Sequence, residues 1–443
     1  MKVKRFISLK FILPLLLSSI VILWAYYVMF GHCLIVDEKA HYAQVKLFSQ
    51  NQWKIYIKNG EKYPRNAMFP GYHIIQGTVA KIVGQCSPTV IRTISVIESV
   101  FIAIFAFLTI RLLATKRRTG EEKENSSCIS VTPLPEYKKG VAGSITAEKA
   151  LICALQIYFI PLLFPFHFLI YTDSMAVTVL LGALYFSIKK RYFISAIFAF
   201  LTIFIRHNYI VFVPFFIIYP YIDNYGYTVS KANIKKQLIE SWPFLLPFAA
   251  FTTFIIINGR LTLDDPTSHI PTISIGNILE TLLALLFLFM PFMIWNIKNC
   301  RNWAEKHSKI SAGIITIFII ISALFYPRHH WNTFFWLLHN EILAWFLRDF
   351  MTRTVFCSLL IFTVISLCSI KLTTKGAYLI YPFTLVMLLP ILLIEPRYSI
   401  IPLVFFNIFR PKMSYLNESV MLLYMIIVSI LIHHLHVTTA YMI

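Results

Sequence analysis

Apolar runs long enough to cross a bilayer recur from one end of this 443-residue chain to the other, parted by short polar stretches. A hydrocarbon core about 30 Å thick takes roughly 20 apolar residues as a helix. Residues 11–30 supply the first such run behind the basic start MKVKR. No small-residue cleavage site follows it, so the run reads as a retained signal anchor. A polar segment over 33–69 comes next, then helices are expected near 89–113, 150–170, 174–188, 192–206, 208–222 and 239–257. Later runs lie near 277–296, 309–326, 333–347, 354–370, 376–394, 397–410 and 419–437. The stretch 70–86, PGYHIIQGTVAKIVGQC, is short and carries His73, Gln76 and Lys81, so it is expected to lie along the interface. With 333–347 re-entrant, the pattern predicts an all-α polytopic membrane protein of about 12–14 transmembrane helices. It forms a single domain, 1–443, and no internal repeat suggests the paired halves of a transporter.

Composition supports this reading and charge orients it. The chain is 58% hydrophobic and only 14% charged, with a mean hydropathy of +0.70, which excludes a soluble protein of this length. Its net charge of +20 gathers in short loops: KRRTGEEKEN (116–125), KKR (189–191), KANIKK (231–236) and KNCRNWAEKHSK (298–309). With 70–86 not spanning, all four fall on the side of the N-terminus, which the positive-inside rule makes cytoplasmic. Nucleic-acid binding is the weaker explanation of the charge. Loops 33–69 and 258–276 then fall on the opposite face. Cysteines 33, 86, 128, 153, 300, 357 and 368 form no CxxC pair and no zinc pattern.

The opposite face collects the chemistry. Asp37 and His41 are four apart and share a face if the segment turns helical, with Glu38 beside them. A carboxylate at such a boundary is a candidate base on a sugar hydroxyl; the alternative is a helix cap with a solvated first turn. YPRNAMFPGY (63–72) closes the same loop with two prolines and a glycine, as a rigid aromatic return. Arg206, His207 and Asn208 interrupt an apolar stretch, where an ionisable group is either functional or snorkels to the headgroups. Arg328, His329 and His330, and then Glu395 and Arg397, add two basic centres whose guanidinium forks suit a lipid phosphate. Asp264, Asp265 and His269 lack the spacing of a strong metal site, and no metal or other cofactor is expected.

Six blocks together resemble the endoplasmic-reticulum glucosyltransferases that use dolichyl-phosphate glucose to add the terminal α-1,2 glucose to the lipid-linked N-glycan precursor. They are VDEKAH with MFPGYH, LIYTDSMA (169–176), FIRHNYIVF (204–212), NGRLTLDDPTSH (258–269), RHHWNTFFW (328–336) and IEPRYSIIP (394–402), in family order. The chain departs at Arg206-His207-Asn208, where the family carries Arg-Gln-Thr-Asn, and at Tyr326-Pro327, where it carries Asp-Asn. The resemblance implies a C-type glycosyltransferase fold with a luminal active site in the endoplasmic-reticulum membrane. The donor would be dolichyl-phosphate glucose and the acceptor a dolichyl-diphosphate oligosaccharide. A β-linked donor and an α-linked product imply inversion, for which one base suffices. Asp37 is the expected base, with Glu38 the second catalytic candidate. His41, Asp173, Arg206, Asn208, Asp265, His269, Arg328, His329, Glu395 and Arg397 are the expected substrate-binding residues. The rivals are a dolichyl-phosphate-mannose transferase of the same architecture and a polytopic transporter.

Overall fold

Every regular element among the described residues is helical. The computed structural model describes residues 9–35, 37–52, 69–127, 145–259, 273–324, 345 and 348–439, with backbone alone for 117–127, 258 and 439. In chain order the helices begin with α1 (Leu9–Met29), α2 (Glu38–Ser49), α3 (Gly71–Val83), α4 (Pro88–Ser127), α5 (Ala147–Tyr158) and α6 (Thr172–Ile188). There follow α7 (Tyr192–Ile205), α8 (Phe212–Tyr225), α9 (Lys231–Glu240), α10 (Leu245–Asn258), α11 (Gly276–Leu288) and α12 (Met290–Trp295). The last are α13 (Ile297–Lys306), α14 (Ser308–Leu324), α15 (Phe350–Ser369), α16 (Ile380–Leu388), α17 (Ile400–Phe409) and α18 (Tyr415–Thr439).

The polytopic, all-helical architecture is the one the hydropathy pattern predicts, but full-length spans are fewer. Among the described residues four helices are long and apolar enough to cross a membrane: α1, the 88–116 part of α4, α15 and α18. Two bent pairs, α9 with α10 at 63° and α13 with α14 at 103°, raise the number to six if each is one span. Proline explains much of the difference. The run 150–170 stops as a helix at Tyr158, ahead of Pro161 and Pro165, and 277–296 is cut between Leu288 and Met290, next to Pro291. The basic stretch 298–309, expected to be a loop, is mostly helix α13 turned sharply from α14. The run 333–347 lies largely outside the described residues. At 13 residues, α3 is roughly 20 Å long and falls short of a span.

The core is built around α6, which is apolar on all sides and buried along nearly its whole length, as a helix enclosed by neighbours must be. It packs between α4 and α7, while α17 is buried throughout and α5 from Ala150 onward. A fully buried ionic knot fixes the start of α18. The Arg410 guanidinium donates to both oxygens of Glu418 at 3.0 and 2.6 Å and to Gln156 of α5 at 2.7 Å. Glu418 also accepts from the Gln156 amide at 2.9 Å and from the Met413 N–H at 2.7 Å. A buried ion pair adds stability only when its remaining hydrogen-bonding positions are filled, and here they are. Beyond the knot, α18 runs parallel to α1: the Tyr415 hydroxyl donates to the Lys10 carbonyl at 3.0 Å, and His433 donates to the Ala25 carbonyl at 3.3 Å.

The chain crosses between two faces of the bundle. Lys116 at the far part of α4 pairs with Asp223 at the end of α8 at 3.6 Å, so these ends share one face with the 189–191 turn that closes α6. The starts of α2, α4 and α6 and the end of α7 meet on the other. Two close approaches hold α3 on that second face. A Cβ on Gly77 would stand 2.8 Å from the Cβ of Phe48 and 2.9 Å from the Val45 carbonyl, so α3 lies directly on α2. A Cβ on Gly71 would collide with the Phe204 carbonyl and ring, one residue before the end of α7.

Candidate active site

Asp37 stands at the N-cap of α2, is exposed, and makes no side-chain capping bond to the helix. Its backbone N–H donates to the Tyr171 hydroxyl at 3.2 Å, and Tyr171 is itself the N-cap residue of α6. The starts of two helices therefore meet at this point, and helix starts favour negative charge.

The neighbouring acid has a different environment. Glu38 is fully buried, and its carboxylate accepts four hydrogen bonds: from Arg92 Nε at 3.1 Å and Nη2 at 2.7 Å, and from the Ile35 and Ile170 N–H groups, both at 2.9 Å. Arg92, near the start of α4, also donates to the carbonyls of Met29, His32 and Cys33 at 3.1, 2.9 and 3.2 Å. This clamp ties the end of α1, the turn carrying Asp37 and the strand of chain leading into α6 to one guanidinium. Adjacent residues thus differ: Asp37 is exposed, and Glu38 is buried in the scaffold.

His41 lies one turn beyond Asp37, buried, with its ring 5.2 Å from that of Tyr171. Its Nδ1 is 2.8 Å from Nε2 of His73 on α3, and the two rings stack at 5.1 Å. Neither α2 nor α3 is a spanning helix. Burial pushes His73 down to about 3. Burial also holds His41 well below the usual histidine value, helped by His73 and by the charges of Arg397 and Arg206. Burial thus favours the neutral form of both imidazoles.

Beside the histidines lie the arginines. Asp173, in the first turn of α6, is fully buried and pairs through Oδ1 with Arg206, which caps the end of α7 and is 2% exposed. Oδ2 of Asp173 is buried and makes no hydrogen bond among the described residues. Arg206 stands 5.7 Å from the Tyr209 ring. Arg397 lies in the connection between α16 and α17, pairs with Glu395, and lies 5.9 Å from the Tyr398 ring. Its charge reaches His41, Tyr171, Asp173 and Arg206, so residues from four separate parts of the chain share one electrostatic neighbourhood. Asn208 sits half-buried two residues past Arg206.

The profile of the DIE2/ALG10 family matches residues 32–237 and 225–408, a stretch that includes every site residue just described. The chain belongs to the DIE2/ALG10 family. Three curated relatives carry the name Dol-P-Glc:Glc(2)Man(9)GlcNAc(2)-PP-Dol alpha-1,2-glucosyltransferase. The one from Debaryomyces hansenii is 23% identical over 61% of this chain and 66% of its own length. That from Arabidopsis thaliana is 21% identical over 63% and 62%, and that from Candida albicans 24% over 56% and 60%. The aligned part spans about three-fifths to two-thirds of each relative. No solved structure matches the chain.

Of the site residues expected from sequence, this DIE2/ALG10 chain brings Asp37, His41, Asp173, Arg206, Glu395 and Arg397 together. Asp265, His269, Arg328 and His329, with Asp264 and His330, lie outside the described residues. Sequence reasoning missed Arg92, His73 and Tyr171. Arg92 had a usable signal, since it is an ionisable residue inside the apolar run 89–113, and such a residue demands a partner. His73 was noticed only as a polar interruption of a short helix. Tyr171 had no signal beyond its place before Asp173.

Proposed function

We propose that this protein is an inverting glucosyltransferase that moves glucose from dolichyl-phosphate glucose to a dolichyl-diphosphate oligosaccharide, adding the terminal α-1,2 glucose of the N-glycan precursor. It would work in the endoplasmic-reticulum membrane with Asp37 on the luminal side. One observation carries the reading: an exposed carboxylate, not consumed by capping, stands at the edge of a buried cluster of two neutral histidines and two arginines. Family membership and the names of the relatives support the substrate choice.

In this mechanism the Asp37 carboxylate takes the proton of the acceptor 2-hydroxyl while that oxygen bonds to the anomeric carbon from the face opposite phosphate. The bond between anomeric carbon and phosphate oxygen breaks, and its electron pair leaves on dolichyl phosphate. Arg397 receives that growing charge, joined by Arg328; a guanidinium held by one carboxylate still has donors to offer. Asp173 orients Arg206 toward the same phosphate, His41 meets a sugar hydroxyl, and Glu395 orients Arg397. Asn208, Asp265, His269 and His329 remain substrate-binding candidates. Glu38 becomes the clamp that places Asp37, not a second base.

The test is transfer by purified protein in lipid nanodiscs, given a two-glucose acceptor and either labelled dolichyl-phosphate glucose or the mannose analogue. Extension from glucose alone is expected. Extension from mannose alone selects the mannosyltransferase, and no transfer with solute movement in sealed vesicles selects the transporter.

A further inference from the structure

A cation without a carboxylate stands at the end of the bundle opposite Asp37. Lys412 lies half-buried in the short connection between α17 and α18. Its ammonium turns inward and donates to the backbone carbonyl of Asn407, a residue with no exposed surface. The neighbouring ionic knot cannot share its charge. Arg410 uses all five of its N–H groups, on Asn407 Oδ1, the Pro411 carbonyl, Gln156 and both oxygens of Glu418. The Glu418 carboxylate in turn accepts four hydrogen bonds, two from Arg410 and one each from the Gln156 amide and the Met413 N–H. Among the described residues no carboxylate pairs with Lys412, and the amide NH2 of Asn407 is buried without an acceptor. A second cation comes from α5. Lys149 lies seven residues before Gln156, two turns along the same face of the helix, and its charge reaches Lys412. Glu148 stands beside Lys149 in the chain and forms no pair with Lys412. Burial and then the Arg410 charge press Lys412 down to about 8, as expected of an ammonium that lacks an anion. Donors and positive charge in excess at a part-buried point suit an oxyanion, and lysine is a point-charge binder of phosphate.

Position in the bundle narrows the choice of oxyanion. At one end of α1 the Met29 carbonyl meets Arg92 on the face of Asp37, and at the other the Lys10 carbonyl meets the Tyr415 hydroxyl. Lys412, three residues before Tyr415, therefore lies at the far end of a helix about 30 Å long, which is the thickness of a hydrocarbon core. Exposed apolar side chains continue from there: Leu9 and Leu13 on α1, and Leu416 and Val420 on α18. A phosphate that carries acyl chains matches such a border. We propose that Lys412, with Lys149, binds the headgroup phosphate of an anionic phospholipid in the leaflet opposite Asp37, at a site separate from the candidate active site. The inference does not rest on the functional reading above.

The test compares the protein in nanodiscs of phosphatidylcholine alone with nanodiscs that also contain phosphatidylserine, reading melting temperature and, by native mass spectrometry, retained lipid. Phosphatidylserine should be retained in preference and should raise the melting temperature. Lys412→Gln should weaken that binding about tenfold, as expected for loss of a charge-assisted hydrogen bond, and should abolish the thermal gain. In phosphatidylcholine alone it should melt no lower than the unaltered protein, because an uncompensated charge has been removed. Lys412→Arg should keep the binding. Lys189→Gln, exposed on the same face, controls for general surface charge and should change nothing. A Lys412→Gln protein that melts lower in phosphatidylcholine yet keeps the full gain from phosphatidylserine makes Lys412 a structural link to Asn407 and overturns the proposal. An equal loss in Lys189→Gln overturns it too. Should Lys412→Gln fail to fold, Lys149→Gln carries the test: binding about threefold weaker is expected, and unchanged retention overturns the site. Inorganic phosphate added to phosphatidylcholine nanodiscs separates the two sources of the oxyanion. Stabilisation by millimolar phosphate that Lys412→Gln loses, with no preference for phosphatidylserine, would assign the site to a soluble phosphate and overturn the lipid.

Discussion

Replacing Glu38 with glutamine distinguishes the clamp from a catalytic acid. The substitution keeps the length of the side chain and removes the one anion facing Arg92, at 2.7 and 3.1 Å in a fully buried site. Arg92 keeps its three backbone carbonyls, but its charge is no longer compensated. Removing one partner of a buried pair costs about 3–5 kcal/mol. The amide cannot escape by turning over. Oε1 accepts from Arg92 and Ile170 and Oε2 from Arg92 and Ile35, so an NH2 group in either position meets two donors. That clash is part of the same loss and is not added to it. Thermal or denaturant unfolding in nanodiscs should therefore show Glu38→Gln destabilised by about 3–5 kcal/mol. Asp37→Asn, exposed and uninvolved in capping, should shift stability by less than about 0.5 kcal/mol while lowering glucose transfer about 100-fold or more. A Glu38→Gln protein that unfolds like the unaltered one yet fails to turn over would refute the clamp and make Glu38 a catalytic acid. Full turnover by Asp37→Asn would remove Asp37 as the base.

Arg397→Ala should weaken use of the lipid donor, read as a lower kcat/KM for dolichyl-phosphate glucose; an unchanged donor response would remove Arg397 from the phosphate. Stability should fall as pH drops below about 6.5, because the unfolded chain binds protons there while His73, held down to about 3, and His41 do not. Melting temperatures from pH 7.5 to 5 check this, and a slope no shallower in His73→Gln would contradict it. The sequon Asn125-Ser126-Ser127 lies at the far end of α4, beyond Lys116 on the face opposite Asp37, so it should carry no glycan. A glycosidase-sensitive mass shift lost in Asn125→Gln would reverse the orientation of the whole bundle.

Class and architecture were legible because composition and run length are one-dimensional properties. Helix boundaries were less so, since hydropathy averages across Pro161, Pro165 and Pro291, whose effect is on backbone geometry and not on polarity. The site divides along similar lines. Asp37 and His41 were visible as an i, i+4 pair, and Arg206 and Arg397 as charges in apolar surroundings. Glu38 and Asp37 are adjacent acids, and nothing in their order reveals that one will be buried on Arg92 while the other stays exposed. That depends on a residue on α4 and on the Ile170 backbone, contacts spanning 54 and 132 positions. The pairing of His41 with His73 is equally non-local, and each histidine alone reads as an ordinary polar residue.

The parallel seating of α1 against α18 has a consequence for how the molecule is made. The segment that leads into Asp37 is translated well before the helix it packs on, whose contact with it spans 405 positions of the chain. Until the knot of Arg410, Glu418 and Gln156 has closed, α1 is seated against α4 and α5 but not yet against α18. Newly inserted chains would then pass through an interval in which the turn carrying Asp37 is held by Arg92 while the helix before it is seated on one side only. A premature stop before α18 would leave a protein that keeps every candidate site residue yet lacks one of the surfaces on which its first helix is seated.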